Sequence, residues 1–229
     1  MMLLCPNCHS EATLGAMNET EQRRHKAQPY NIQQGYAGGN LKVNQDFCGL
    51  LVGTNQFVGD GCFIKVDGEP LLSLRLGENS TLELSIALYD KYDNLLALIE
   101  NNEWVTGDPI PWDIESSFQR LKIRRKTGDI ALAISTRMAP IKLRADLWRK
   151  RQNIRLEDDI LVNGTIVENV RFRGLCFVAC HLVINTLVKT FELVPDPRYG
   201  DCKIVSWPDR AIRLEMGRIE WMNLNARNR

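Results

Sequence analysis

From Leu50 onward, apolar and polar residues alternate along the chain. Leu72, Leu74 and Leu76 are separated by Ser73 and Arg75, and Leu82, Leu84, Ile86 and Leu88 by Glu83, Ser85 and Ala87. Leu121 and Ile123 alternate with Lys122 and Arg124; Ile130, Leu132 and Ile134, then Ile141, Leu143 and Ala145, continue the pattern. A period of two sends successive side chains to opposite faces of an extended strand, so one face of each run meets a core and the other meets water. Antiparallel sheets have this property. Turn-forming residues punctuate the runs at Asp67-Gly68, Gly77-Glu78-Asn79, Asp93-Asn94, Thr127-Gly128-Asp129 and Asn163-Gly164. Asp67-Gly68 and Asn163-Gly164 have the composition of two-residue hairpin turns. No helical period competes between residues 50 and 190, and the pattern predicts a mainly β protein with an antiparallel β-sandwich-like domain over residues 49–157.

A second β segment is expected over residues 158–229, packed on the same domain or beside it. Ile160-Leu161-Val162, Thr165-Ile166-Val167 and Val170-Arg171-Phe172 read as short strands. Leu175 to Ile184 is almost continuously apolar, which predicts one strand covered on both faces. Ile212 with Leu214, then Ile219 with Trp221, resume the alternation.

The first thirty residues differ. Cys5 to Ala16 fits a short helix, and Glu19 to Ala27 a second, with Asn18 as its N-cap, acidic Glu19 and Glu21 in its first turn, and Pro29 as its stop. This polar segment, residues 1–30, is too short to bury a core of its own. Residues 31–48, with Gly35, Gly38, Gly39 and Asn40, read as a linker.

Composition narrows the classes. The 229 residues carry 29 basic and 28 acidic side chains, so no global field attracts nucleic acid or a membrane, and any such surface must be local. No apolar run reaches the roughly 18–20 residues of a membrane span, and the N-terminus lacks the regions of a signal peptide. Seven cysteines, Cys5, Cys8, Cys48, Cys62, Cys176, Cys180 and Cys202, form an odd set without a tight disulfide framework. That usage fits a reducing compartment, with a cytoplasm as the expected location.

Three constellations are candidates for binding. Period two places Arg120, Lys122 and Arg124 on one exposed strand face, and Lys142 and Arg144 on another. Together they form either a stripe that tracks phosphates, with DNA as the partner, or a solvated face with cross-strand partners that guards against edge pairing. Trp104 and Trp112 flank a loop fixed by Pro109 and Pro111, which is either a ligand-binding wall or a staple across a long connection. If the loop is the functional feature, the chain is a non-enzymatic β-sandwich binding or assembly module. His181 sits in the apolar run beside Cys180; in a strand the two point to opposite faces, so a buried, hydrogen-bonded histidine is expected there rather than a metal ligand.

The remaining motif is the most specific. Cys5-Pro6-Asn7-Cys8-His9 follows Leu3-Leu4 and precedes a helix-compatible stretch, and two thiolates at this spacing can share one zinc. The run resembles the closing third of the ββα-metal module of the HNH endonuclease family, over roughly residues 3 to 14. The resemblance implies that Cys5 and Cys8 supply half of a structural zinc site and His9 a ligand to a catalytic divalent ion such as magnesium. It also implies metal-dependent cleavage of DNA, with a β accessory domain behind the nuclease module. In the family, a further C-x-x-C pair and an Asp-His or His-His pair bearing the general base precede this point. Neither occurs in these residues, where His25 and His181 are the only other histidines. The module is therefore expected to be N-terminally incomplete in this chain, with no catalytic residue assigned, and the chain inactive as written.

Overall fold

The computed structural model describes residues 18–20, 23, 38–43, 48–77, 81–107, 111, 113–196, 198, 202–206, 210–215 and 218–223. In chain order the strands begin with β1 (Gly38–Asn40), β2 (Gly49–Val52), β3 (Asn55–Val58), β4 (Gly61–Val66), β5 (Glu69–Leu76), β6 (Leu82–Tyr89) and β7 (Leu95–Glu100). They continue with β8 (Glu103–Thr106), β9 (Asp113–Ser117), β10 (Arg120–Lys126), β11 (Asp129–Ser135), β12 (Ile141–Arg149), β13 (Gln152–Leu156) and β14 (Ile160–Gly164). The last are β15 (Val170–Phe172), β16 (Leu175–Val178), β17 (Cys180–Asn185), β18 (Thr190–Pro195), β19 (Cys202–Ser206), β20 (Arg210–Glu215) and β21 (Arg218–Asn223).

These strands build two sheets. The first has eight strands in the order β1-β8-β7-β6-β5-β4-β17-β18. The second has thirteen, with β15-β14-β13-β12-β2-β3-β16-β19-β20-β21 as its path and β9-β10-β11 joined to the other side of β12. The protein is thus mainly β and sandwich-like. Of the helical segment expected ahead of it only Asn18, Glu19, Thr20 and Arg23 are described; Glu19, Thr20 and Arg23 have helical backbone, and no complete helix is seen among the described residues. None of the described helical structure is long and apolar enough to cross a membrane.

Alternation becomes burial most cleanly on β6, where Leu82, Leu84, Ile86 and Leu88 are buried and the intervening residues are half-buried. Leu121 and Ile123 on β10, Leu132 and Ile134 on β11, and Ile141, Leu143 and Ala145 on β12 enter the same core. The predicted turn at Asp67-Gly68 joins β4 to β5, with both residues in the left-handed region at φ 50° and 81°. Asn163-Gly164 does otherwise. Both residues extend β14, paired with Asn153 and Gln152 of β13, and the chain turns only after them.

Among the described residues most strand pairs are antiparallel, but three parallel joins close the fold: β2 with β12, β3 with β16 and β4 with β17. The last two arise from one corner. The apolar run Leu175 to Ile184, expected as a single strand, is broken at Ala179 (φ 52°), so β16 lies in one sheet and β17 in the other. β3 and β4 make the same crossing at Gly59-Asp60, and Ala179 N–H donates to Val58 O at 3.0 Å. Residues 158–229 are in this way woven into both sheets of residues 49–157. Within the residues read as a linker, Gly38–Asn40 adds an edge strand to β8.

A ladder of rings fills the corner. Phe57 stacks on Phe63 at 5.0 Å and on Phe177 at 4.9 Å, and Phe172 meets Phe177 edge-on at 5.6 Å. Burial of each fully enclosed ring contributes on the order of 2–3 kcal/mol, so this ladder holds together strands that are far apart in sequence.

Candidate nucleic-acid interface

β11 is flanked by β10 and β12, and the registers decide what faces the solvent. Arg120 of β10 lies across from Ser135 of β11, which lies across from Lys142 of β12. One step along, Lys122, Ala133 and Arg144 make the parallel row. Two long cations therefore stand on each outer strand, with a small residue between them in each row. The result is a valley along β11, floored by Ala133 and Ser135 and walled by Arg120 and Lys122 on one side and Lys142 and Arg144 on the other. Strand spacing of roughly 4.8 Å sets the two walls about 10 Å apart, and the strand rise sets cations on one wall about 7 Å apart. The open concavity has a volume of about 860 Å³ and is also lined by Ser117, Arg137 and Met138.

The acids nearby divide these cations into two groups. Lys122 Nζ lies 3.2 Å from Glu115 Oε2, and Arg144 Nη2 lies 2.7 Å from Glu157 Oε1. Arg124 pairs with Asp113 and, at 2.6 Å, with Glu115; it follows a register shift after Ile123 and does not line the valley. Hydrogen bonds from Arg124 and then Lys122 hold the Glu115 carboxyl below its ordinary range. Among the described residues Arg120, Arg137 and Lys142 have no ion-pair partner. These three are the cations open to an outside anion.

The valley ends at two short connections. The β9–β10 turn holds Phe118 and Gln119, and the β11–β12 loop holds Thr136 to Pro140. Thr136 N–H donates to Gln119 O at 3.0 Å, its hydroxyl to Lys42 O at 2.6 Å, and Lys42 N–H to Phe118 O at 2.6 Å. This bonding holds the two connections side by side. At their tips Phe118 is 66% exposed and Met138 70% exposed, two large apolar side chains beside unpaired arginines.

No protein-family model, curated protein or solved structure matches this chain.

The other candidate residues fall elsewhere. Cys5, Cys8, His9 and Trp112 lie outside the described residues. Among the described residues no group of three or more His, Cys, Asp or Glu side chains is arranged to hold a metal ion. Trp104 is 6% exposed, packed in the core on β8 with its ring over Gly39 of β1. It pins the edge strand, while its outer surroundings, Glu100 and Glu103 among them, form a shallow second concavity. Cys48, Cys62 and Cys176 are free thiols, and burial pushes all three above their ordinary acidity range.

His181 is buried, as its place in an apolar run implies, and Nε2 is 3.1 Å from Asp196 Oδ2. That contact is close but lacks hydrogen-bond alignment. Arg198 donates to both oxygens of Asp196 and to Asp60, and its guanidinium holds the Asp196 carboxyl far below the ordinary range. Because Asp60 sits where β3 passes to β4, and Asp196 where β18 ends, this network fastens the corner of the fold.

Sequence reasoning found Arg120, Lys122, Lys142 and Arg144 but not Arg137, Phe118 or Met138. A lone arginine in a loop and a phenylalanine in a turn carry no periodic signal. Only the hydrogen bonds between the two connections bring them together.

Proposed function

We propose that this chain is an HNH-family protein whose β-domain holds DNA for metal-dependent phosphodiester cleavage. The observation that carries the reading is the convergence of Arg120, Arg137 and Lys142, all without acidic partners, on one valley, in a chain that opens on Cys5-Pro6-Asn7-Cys8-His9. In this reading Cys5 and Cys8 contribute to a structural zinc site, and His9 to a divalent ion that stabilises the leaving oxygen. Hydrolysis also requires an activated water, and no Asp-His or His-His pair occurs in these residues to supply the base. The part assigned to the β-domain is to bind and position, its unpaired cations replacing the counterions of the phosphates.

The test is fluorescence anisotropy with labelled DNA across a salt series. Replacing both Arg120 and Lys142 by Ala is expected to weaken binding and to lower the slope of log K against log salt by about 1.5 to 2, close to one per lost phosphate contact. An unchanged slope would remove the valley as the interface. Metal-dependent cutting of DNA by these 229 residues alone would overturn the division of labour.

A further inference from the structure

Resting on that reading, the geometry points to a single polynucleotide strand, rather than a duplex, as the occupant of the valley. We infer that one backbone lies along β11 while its bases stack at the end of the valley on Phe118 and Met138.

The width of the valley is the first argument. Its walls are two strands apart, about 10 Å between backbones, and the long side chains of Arg120 and Lys142 narrow it further. One backbone fits between such ridges; a duplex, two backbones wide, can only rest on their tips. The cross-strand row agrees. Arg120 and Lys142, the wall cations without acidic partners, face each other across Ser135, with Ser117 next to Arg120 in the same row, so two cations and two hydroxyls converge where one phosphate group would sit.

The second argument is independent of charge. Phe118 and Met138 are among the most exposed large apolar side chains described, and both stand at the same end of the valley, beside Arg120 and Arg137. Turns normally carry small polar residues, so a phenylalanine there is unexplained by the turn itself. Bases in a duplex are already stacked on one another and offer no free face. Unpaired bases offer one each, and aromatic rings beside a cationic track are the means by which proteins hold single strands without regard to sequence. The thioether of Met138 supplies an adaptable second surface against a ring.

The test compares a fluorescein-labelled twenty-residue oligothymidylate with a duplex of equal length, using the full 229-residue chain at low salt. The oligothymidylate is expected to bind at least tenfold more tightly. Phe118→Ala is expected to weaken it by about tenfold, within the range of one lost base–aromatic stack, while leaving duplex affinity unchanged; Phe118→Trp is expected to restore it. Phe118 is outside the core, and an unchanged urea midpoint for each variant establishes that folding is intact. Duplex binding as tight as the single strand, with both weakened by the Arg120→Ala and Lys142→Ala pair, would overturn the single-strand inference and leave the valley as a DNA interface. An unaltered affinity of Phe118→Ala for oligothymidylate would do the same. Failure of both probes to bind would overturn the inference together with the reading on which it rests.

Discussion

Asp67 offers the sharpest test of how the two sheets are held at the end away from the valley's mouth. It sits in the β4–β5 turn at φ 50°, with its side chain 6% exposed. Thr186 donates to it twice, from the backbone amide at 2.5 Å and from the hydroxyl at 2.6 Å, and Lys150 Nζ lies 2.9 Å away. The turns that follow β17 and β12 are thereby tied to one carboxylate. Burial opposes its ionisation, but the Thr186 hydroxyl, Lys150 and the Thr186 amide outweigh that, lowering its pKa from 3.8 to about 2. At about 1.4 kcal/mol per tenfold change in proton affinity, the difference amounts to about 2.5 kcal/mol before screening. Because the Lys150 side chain is 41% exposed, solvent screening brings the expected contribution to about 1–2 kcal/mol.

The perturbation is Asp67→Asn, which keeps the size of the side chain, tolerates the left-handed backbone and removes the charge. A folded-state pKa below the unfolded one stabilises the protein fully above the unfolded value. That stabilisation is lost as pH falls through the folded value. Wild type is therefore expected to exceed the variant by about 1–2 kcal/mol at pH 7 in urea denaturation, equivalent to about 2–8 °C in Tm. The gap should hold down to about pH 5 and close progressively toward pH 2. A gap that stays constant as pH falls would show that Asn disturbs packing rather than charge. Equal midpoints at pH 7 would refute the reasoning outright.

Two further substitutions probe other parts of the structure. Gly53 lies in the left-handed region at φ 55°, and an added Cβ would run into the backbone carbonyls of Glu157 and Asp158. Gly53→Ala is therefore expected to cost about 2–4 kcal/mol, combining strain with overpacking, and a urea midpoint within error of wild type would show that this backbone approach leaves room for a methyl group. Trp104→Ala empties a core position, with an expected loss of about 3–5 kcal/mol and no change in oligothymidylate affinity, because β8 and the valley lie in different sheets. Retained stability with abolished binding would instead make Trp104 part of a ligand wall.

What the sequence by itself determined was local. Alternation on β6, β10, β11 and β12 marked strands, their buried faces and the cations on their outer faces, because side-chain direction in an extended chain depends only on parity. Asp67-Gly68 marked its hairpin because a turn of two left-handed residues needs that composition. Asn163-Gly164 has the same composition yet lies within β14, where pairing with β13 outweighs turn preference. The tertiary structure alone decided the three parallel joins, the break at Ala179 and the order β10-β11-β12 in the valley. Each depends on segments distant in sequence, and the pairing of a parallel strand leaves no mark in the residues of the connection that precedes it. For the same reason two basic stripes were legible in the sequence, while the valley between them, and the placing of Phe118, Arg137 and Met138 at its mouth, came from the register of β11 against its neighbours and from Thr136 bonding to Gln119.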